Sequence, residues 1–242
     1  MSNICSIKMV VRRRNAQLEL QLQTWGGRRK GAGRKRAPGR RPSVSHRPRA
    51  KQKARHPVHV TLRARAGLPP FRERALFEAM LEGIRGASRS PAVGDAFRVV
   101  HFSVQRDHVH LIVEASDTSA LSRGVQGLSI RLARAVNRTL GLPGRVWGDR
   151  YHARALKTPR EVRHAIGYVL MNFKKHDKKH DRTLARAIDP FSSAPWFDGI
   201  HQMHRFAMMM TDSPSPVMTA KTWLGGTGWR RRGLIRPHEK PS

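Results

Sequence analysis

The chain has 242 residues, 38% of them hydrophobic, and Cys5 is its one cysteine. That length holds one domain with tails or two small ones, and the low apolar share implies that part of it is disordered. A single cysteine excludes an intramolecular disulfide, a zinc finger and a dithiol redox motif. Lys and Arg number 48 against 16 Asp and Glu, a net charge of +32, which is far more than solubility requires and calls for a polyanionic partner. The basic residues run along the whole chain, with no long apolar segment and no strongly amphipathic basic helix. Nucleic acid rather than a membrane is therefore expected. The N-terminus lacks the apolar core and cleavage site of a signal peptide, so the expected location is the cytoplasm, at the nucleoid.

Residues 1–55 carry Arg12 to Arg14, Arg28 to Lys30, Arg34-Lys35-Arg36 and Arg40-Arg41, with Glu19 as the only acid. Glycines and prolines deny this stretch regular structure and like charges extend it, so it is expected to be a disordered DNA-binding arm. The run from Gly31 to Pro42 is similar to an AT-hook without matching it. Arginine insertion into a narrow minor groove is one reading; sequence-independent phosphate contact by Arg34, Lys35, Arg36, Arg40 and Arg41 is the plainer one. Residues 15–25 can form one short helix through Leu18, Leu20, Leu22 and Trp25.

Folded structure is expected from His56. Val58, Val60 and Leu62 alternate with His59, Thr61 and Arg63 as a first strand. After the Gly67 to Pro70 break, a helix is expected from Phe71 to Arg85, closed by Gly86. Ala96 to Val104 and His108 to Glu114 read as an antiparallel strand pair. Asp117 then caps a helix through Leu121, Val125, Leu128, Ile130, Leu132 and Val136 that ends at Gly141. Its Arg131 and Arg134 belong to a basic row that is either a solvated face or a phosphate contact. Gly144 to Leu156 is expected to hold a fourth strand with Trp147, Arg150 and Tyr151. Thr158, Pro159 and Glu161 form a capping box that starts another helix, whose apolar stripe is Val162, Ile166, Val169, Leu170 and Phe173. The order β-α-β-β-α-β plus this helix fits an α+β, ferredoxin-like antiparallel sheet with helices packed on one side, flanked by basic disordered tails.

Chemistry concentrates at two places. On a strand, His108 and His110 point to one face while Val109, Leu111 and Val113 point to the other, so two imidazoles can converge on one metal ion. An isolated His-x-His is more often a polar strand face meeting solvent. On the last helix Tyr168 and Asn172 are four residues apart and share a ridge; most such pairs are a rim tyrosine beside a polar amide.

Taken in order, His108-Val109-His110, then Trp147-Gly148-Asp149-Arg150-Tyr151-His152, then Tyr168 and Asn172 resemble the single-tyrosine HUH transposases, the IS200-like and REP-associated tyrosine transposase families. The resemblance covers about half of the chain, from near His56 to near His180. It implies that His108, His110 and Asn172 hold a divalent metal, Mg or Mn, and that Tyr168 is the nucleophile that becomes linked to a 5′-phosphate. It makes Arg150 a phosphate clamp and Trp147 a stacking or packing residue, with Tyr151 as the rival nucleophile. The implied substrate is single-stranded or hairpin-forming repeat DNA, acted on by a monomer or a homodimer. Phe173-Lys174-Lys175-His176 departs from the Pro-Val that usually follows the family's Asn. The domain division expected is an arm at 1–55, a catalytic domain at 56–180 and an aromatic, basic C-terminal tail at 181–242. Two other classes fit the charge: a DNA-binding protein that kept the fold without cutting, and a basic RNA-binding protein.

Overall fold

The computed structural model describes residues 50–88, 96–173, 188–201, 213–236 and 239. The arm residues Arg34, Lys35, Arg36, Arg40 and Arg41, and the helix expected at 15–25, lie outside the described residues. The elements run β1 (Val58–Arg63), α1 (Arg74–Ser88), β2 (Phe97–Val104), β3 (His108–Ala115), α2 (Thr118–Leu140), β4 (His152–Ala155) and α3 (Pro159–Met171). The four strands form one antiparallel sheet in the order β2-β3-β1-β4. This is the α+β arrangement that the element order implies.

The period-2 alternation of β1 and β3 sorts the sheet into two unlike faces. Val58, Val60 and Leu62 with Val109, Leu111 and Val113 turn to one face, where Leu76, Met80 and Ile84 of α1 and Val125, Leu128, Leu132 and Val136 of α2 close the core. His59, Thr61, His108, His110 and Ile112 turn to the other. Among the described helices, α1 and α2 pack on the first face. The expectation of helices on one side needs this correction: α3 packs on the second face, where Val162, Ile166, Val169 and Leu170 bury Ile112. The cause is local, because Ile112 is an apolar position within an otherwise polar strand face and α3 brings a continuous apolar stripe to it.

The caps form as their chemistry requires. Asp117 accepts from the Ala120 amide at 2.8 Å, Gly141 ends α2 with a φ of 63°, and both halves of the Thr158/Glu161 box are made. Three boundaries differ from the pattern. Helix α1 runs past Gly86 to Ser88; a Cβ at Gly86 would meet the Arg131 guanidinium at 3.0 Å, so this glycine serves close helix approach instead of ending the helix. The strand expected over 144–156 shrinks to His152–Ala155, with Trp147 making only an isolated bridge to Ala64. Ile130, read as part of the buried stripe, is 46% exposed.

Packing continues beyond residue 180. Asp189, fully buried, receives Arg72 through paired bonds of 2.7 and 3.0 Å. A short helix, α4 (Trp223–Gly226), is tied to the sheet by Glu114, which accepts from the Lys221 and Thr222 amides and the Thr222 hydroxyl. Trp229 and Ile235 are buried against the α3 cluster. Among the described residues no helix is long and apolar enough to cross a membrane.

Candidate active site

The strand register builds the site. Thr61 pairs with His110 and His59 with Ile112 across β1 and β3, while His152 pairs with Thr61 across β4 and β1. Directly paired residues share a face, so the side chains of His59, Thr61, His108, His110 and His152 turn to the face on which α3 packs. The Tyr168 ring lies edge-on to His110 at 5.1 Å and to His59 at 5.8 Å between centroids. Burial raises the Tyr168 phenol above its ordinary pKa of 10.

The imidazole contacts define a chain of hydrogen bonds. Asp107 Oδ1 lies 2.7 Å from His108 Nδ1; an ionised carboxylate only accepts, so the His108 proton belongs on Nδ1 and Nε2 carries the lone pair. That lone pair faces His110 Nε2 at 3.0 Å. On its other side, His110 Nδ1 lies 3.1 Å from Thr61 Oγ1 and 3.2 Å from His59 Nε2. Burial holds His59 neutral, first of all, with His152 and Arg154 adding to the effect, and its pKa falls to about 4.

This arrangement accommodates two proton placements. With no cation between the rings, His110 donates from Nε2 to His108 and accepts at Nδ1 from the Thr61 hydroxyl. Were a cation held there, His110 would carry its proton on Nδ1, where the same hydroxyl can accept it, and Asp107 and Thr61 would orient the two imidazoles that hold it. Asn172 follows Tyr168 by one helical turn, caps α3 and is 1% exposed. Its Nδ2 is buried without a hydrogen-bond partner, an arrangement that costs stability unless a ligand or an amide rotation uses it. Among the described residues no group of three or more His, Cys, Asp or Glu is placed to hold a metal ion.

The remaining candidates separate. Tyr151 and Trp147 pack against the α1/α2 cluster, on the far side of the sheet; Trp147 donates from Nε1 to the Ser129 carbonyl at 2.8 Å and meets Phe71 edge-on at 6.0 Å, so it packs against these elements. Arg150 is exposed. Arg131 and Arg134 lie on α2, away from the histidines. The sequence reading gave Thr61 and Asp107 no role and named His59 without one. His59 and Thr61 share a face by simple alternation, which is visible in the sequence; their pairing opposite His110 is a register that it does not display.

Residues 67–169 match the family model described as "Transposase IS200 like", a span that takes in α1, β2, β3, α2 and β4 and most of α3. The matched segment is similar to the IS200-like transposases, the family that the motif order resembles. A solved structure of a REP-associated tyrosine transposase bound to a REP hairpin is similar to this chain with a TM-score of 0.47 and 18% identity, over 62% of this chain and 82% of that one. No curated protein matches the chain.

Proposed function

We propose that this protein cuts and rejoins single-stranded DNA by transesterification, with Tyr168 as the nucleophile, on strands that carry hairpin-forming repeats. The observation that carries the proposal is the placement of the one tyrosine of α3 against His110, whose Nε2 faces His108 Nε2 at 3.0 Å. His108, His110 and Asn172 are the residues that would hold a divalent metal, Mn or Mg; a site of two imidazoles and one amide oxygen suits Mn better. When bound, such an ion supplies positive charge to a phosphate oxygen and to the charge that develops at phosphorus.

The protein's own groups then have defined tasks. Tyr168 Oη attacks phosphorus, the bond from phosphorus to the 3′-oxygen breaks, and the proton lost by the phenol balances the one gained by the leaving 3′-hydroxyl. The products are a 5′-phosphotyrosine and a free 3′-hydroxyl, and attack by that hydroxyl restores the phosphodiester without nucleotide hydrolysis. Because burial raises the phenol's pKa, Tyr168 is protonated at neutral pH and depends on nearby positive charge to react. The α3 cap holds the tyrosine's direction, and Thr61 with Asp107 holds those of the histidines. Arg150, exposed on the approach to β4, and the basic arm supply phosphate contacts.

The test incubates 5′- and 3′-labelled single-stranded libraries bearing hairpins with wild type and Tyr168→Phe, in Mn and in chelator. The proposal expects a Mn-dependent covalent adduct on the 3′ fragment that is absent in Tyr168→Phe. Binding without adduct across such a library would instead identify a DNA-binding protein that does not cut.

A further inference from the structure

Helix α3 carries Tyr168, and β3 carries His108 and His110. Between Ala115 and Pro159 the chain leaves for α2 on the far face of the sheet and returns through β4, so no short connection fixes the helix against the strand. Later residues join the two. The apolar stripe of α3 meets Ile112 of β3, and its other buried neighbours include Ile200, Leu224, Trp229 and Ile235. Two polar anchors secure the same stretch of chain. At one end Glu114 of β3, which is 4% exposed, accepts from the amides of Lys221 and Thr222 at 2.8 and 3.1 Å and from the Thr222 hydroxyl at 2.7 Å. At the other end Arg163 of α3 donates from Nε to the Gly233 carbonyl and from Nη2 to the Leu234 carbonyl, both at 2.9 Å. The same guanidinium donates to the two carboxylate oxygens of Glu239 at 2.6 and 3.1 Å.

We infer that residues 221–236 with Glu239 form a splint between β3 and α3, and that Arg163 is a positioning residue for Tyr168. A guanidinium is planar and its donors form a fixed fork, so four bonds to three acceptor groups leave it one orientation. Its side chain is 16% exposed, which limits the screening of the ion pair by salt and water. Arg163 stands five residues before Tyr168, about 7.5 Å along the helix axis and about 140° around it. It therefore acts on the tyrosine through the helix and not by contact. Glu114 does the same for the strand: it lies on β3 four residues beyond His110, and the amides that it accepts from lead directly into α4. The splint thus links the strand of the histidines to the helix of the tyrosine. As an aid to catalysis it rests on Tyr168 being the nucleophile; as a device that sets a position it is measured without DNA or metal.

The chain has two tyrosines, and Tyr151 packs with the α1/α2 cluster, so tyrosine labelled with ¹³C at Cζ gives one resonance for the site and one internal control. The full-length protein is compared as wild type, Arg163→Met, which keeps the apolar stem and removes the fork, and Glu239→Gln, which keeps both carbonyl bonds. Tyr168→Phe assigns the two signals, and urea unfolding is recorded on the same samples. The expected result is a Tyr168 resonance that moves in Arg163→Met, moves less in the same direction in Glu239→Gln, and a Tyr151 resonance that stays in place in both. Arg163→Lys, which keeps the charge without the fork, should resemble Arg163→Met. In the adduct assay Arg163→Met should lower the rate at saturating DNA by about 100-fold, as a reacting group displaced by about 1 Å does, with the half-saturating DNA concentration unchanged. A Tyr168 resonance that stays in place in Arg163→Met, or a Tyr151 resonance that moves equally, overturns the splint; if that variant fails to fold, Glu239→Gln decides by the same criteria. An adduct rate in Arg163→Met equal to that of wild type overturns the positioning role. A wild type that forms no adduct refutes the cutting reaction instead, and the resonances still decide whether the splint sets the tyrosine's place.

Discussion

Replacing Asp107 with alanine should separate the proposed metal binding from stability. Asp107 Oδ1 takes the His108 Nδ1 proton at 2.7 Å and Oδ2 takes Arg63 at 2.6 Å. Both side chains of the Arg63–Asp107 pair are 50% exposed, and such a pair contributes at most about 1 kcal/mol. The loss of stability in Asp107→Ala should therefore stay below about 1 kcal/mol. The effect on His108 is larger, because without the carboxylate its proton is free to sit on Nε2 and block the lone pair that faces His110. Removing the outer partner of a metal-binding histidine lowers metal affinity by about 10- to 100-fold, equivalent to about 1.4 to 2.7 kcal/mol. Asp107→Asn keeps an accepting oxygen and should fall between the two. Calorimetric titration with Mn beside urea unfolding of the same samples reads both quantities. A Mn affinity within two-fold of wild type, or a stability loss above about 2 kcal/mol, would refute the role given to this carboxylate.

Other positions give expectations of stability. Arg72→Ala strips the cation from the fully buried Asp189 and should cost about 3 kcal/mol in denaturant unfolding, as an uncompensated buried charge does. Gly124→Ala would place its Cβ 2.2 Å from the Phe97 ring; overpacking should outweigh the gain in helix propensity and leave the variant about 1 to 2 kcal/mol less stable. The His101 imidazole, driven by burial to about 3 from its ordinary 6.5, stays neutral in the fold while the unfolded chain takes up its proton. This group's share of stability is complete above about pH 6.5 and falls by about 1.4 kcal/mol per pH unit down to about pH 3. His101→Gln should remove that slope, so the stability difference between variant and wild type shifts in the variant's favour as the pH falls.

The sequence exposes what depends on one element at a time. The alternation in β1 and β3, the Asp117 cap, the Thr158/Glu161 box and the α3 stripe are all local patterns, and each appears in the structure where the residues put it. The ridge that joins Tyr168 to Asn172 is equally local. What escaped depends on two elements meeting. Gly86 looked like a terminator because its use is to let Arg131 of α2 approach, and Trp147 looked like a strand residue because its partners, Ser129 and Phe71, are on other elements. Thr61 matters only through the register that sets it opposite His110. The side of the sheet on which α3 lands was hidden for the same reason: it depends on the partners its stripe meets there, Ile112 of β3 with Trp229 and Ile235 from far along the chain.

The account rests on one atom, the Tyr168 hydroxyl oxygen, and the chain has only two tyrosines. The direct measurement is mass spectrometry of the protease-digested protein–DNA adduct formed in Mn on hairpin-bearing single-stranded DNA. The account predicts a nucleotide attached through its 5′-phosphate to the peptide that contains Tyr168, and none on the peptide that contains Tyr151. A nucleotide on Tyr151, or an adduct that persists in Tyr168→Phe, would contradict it.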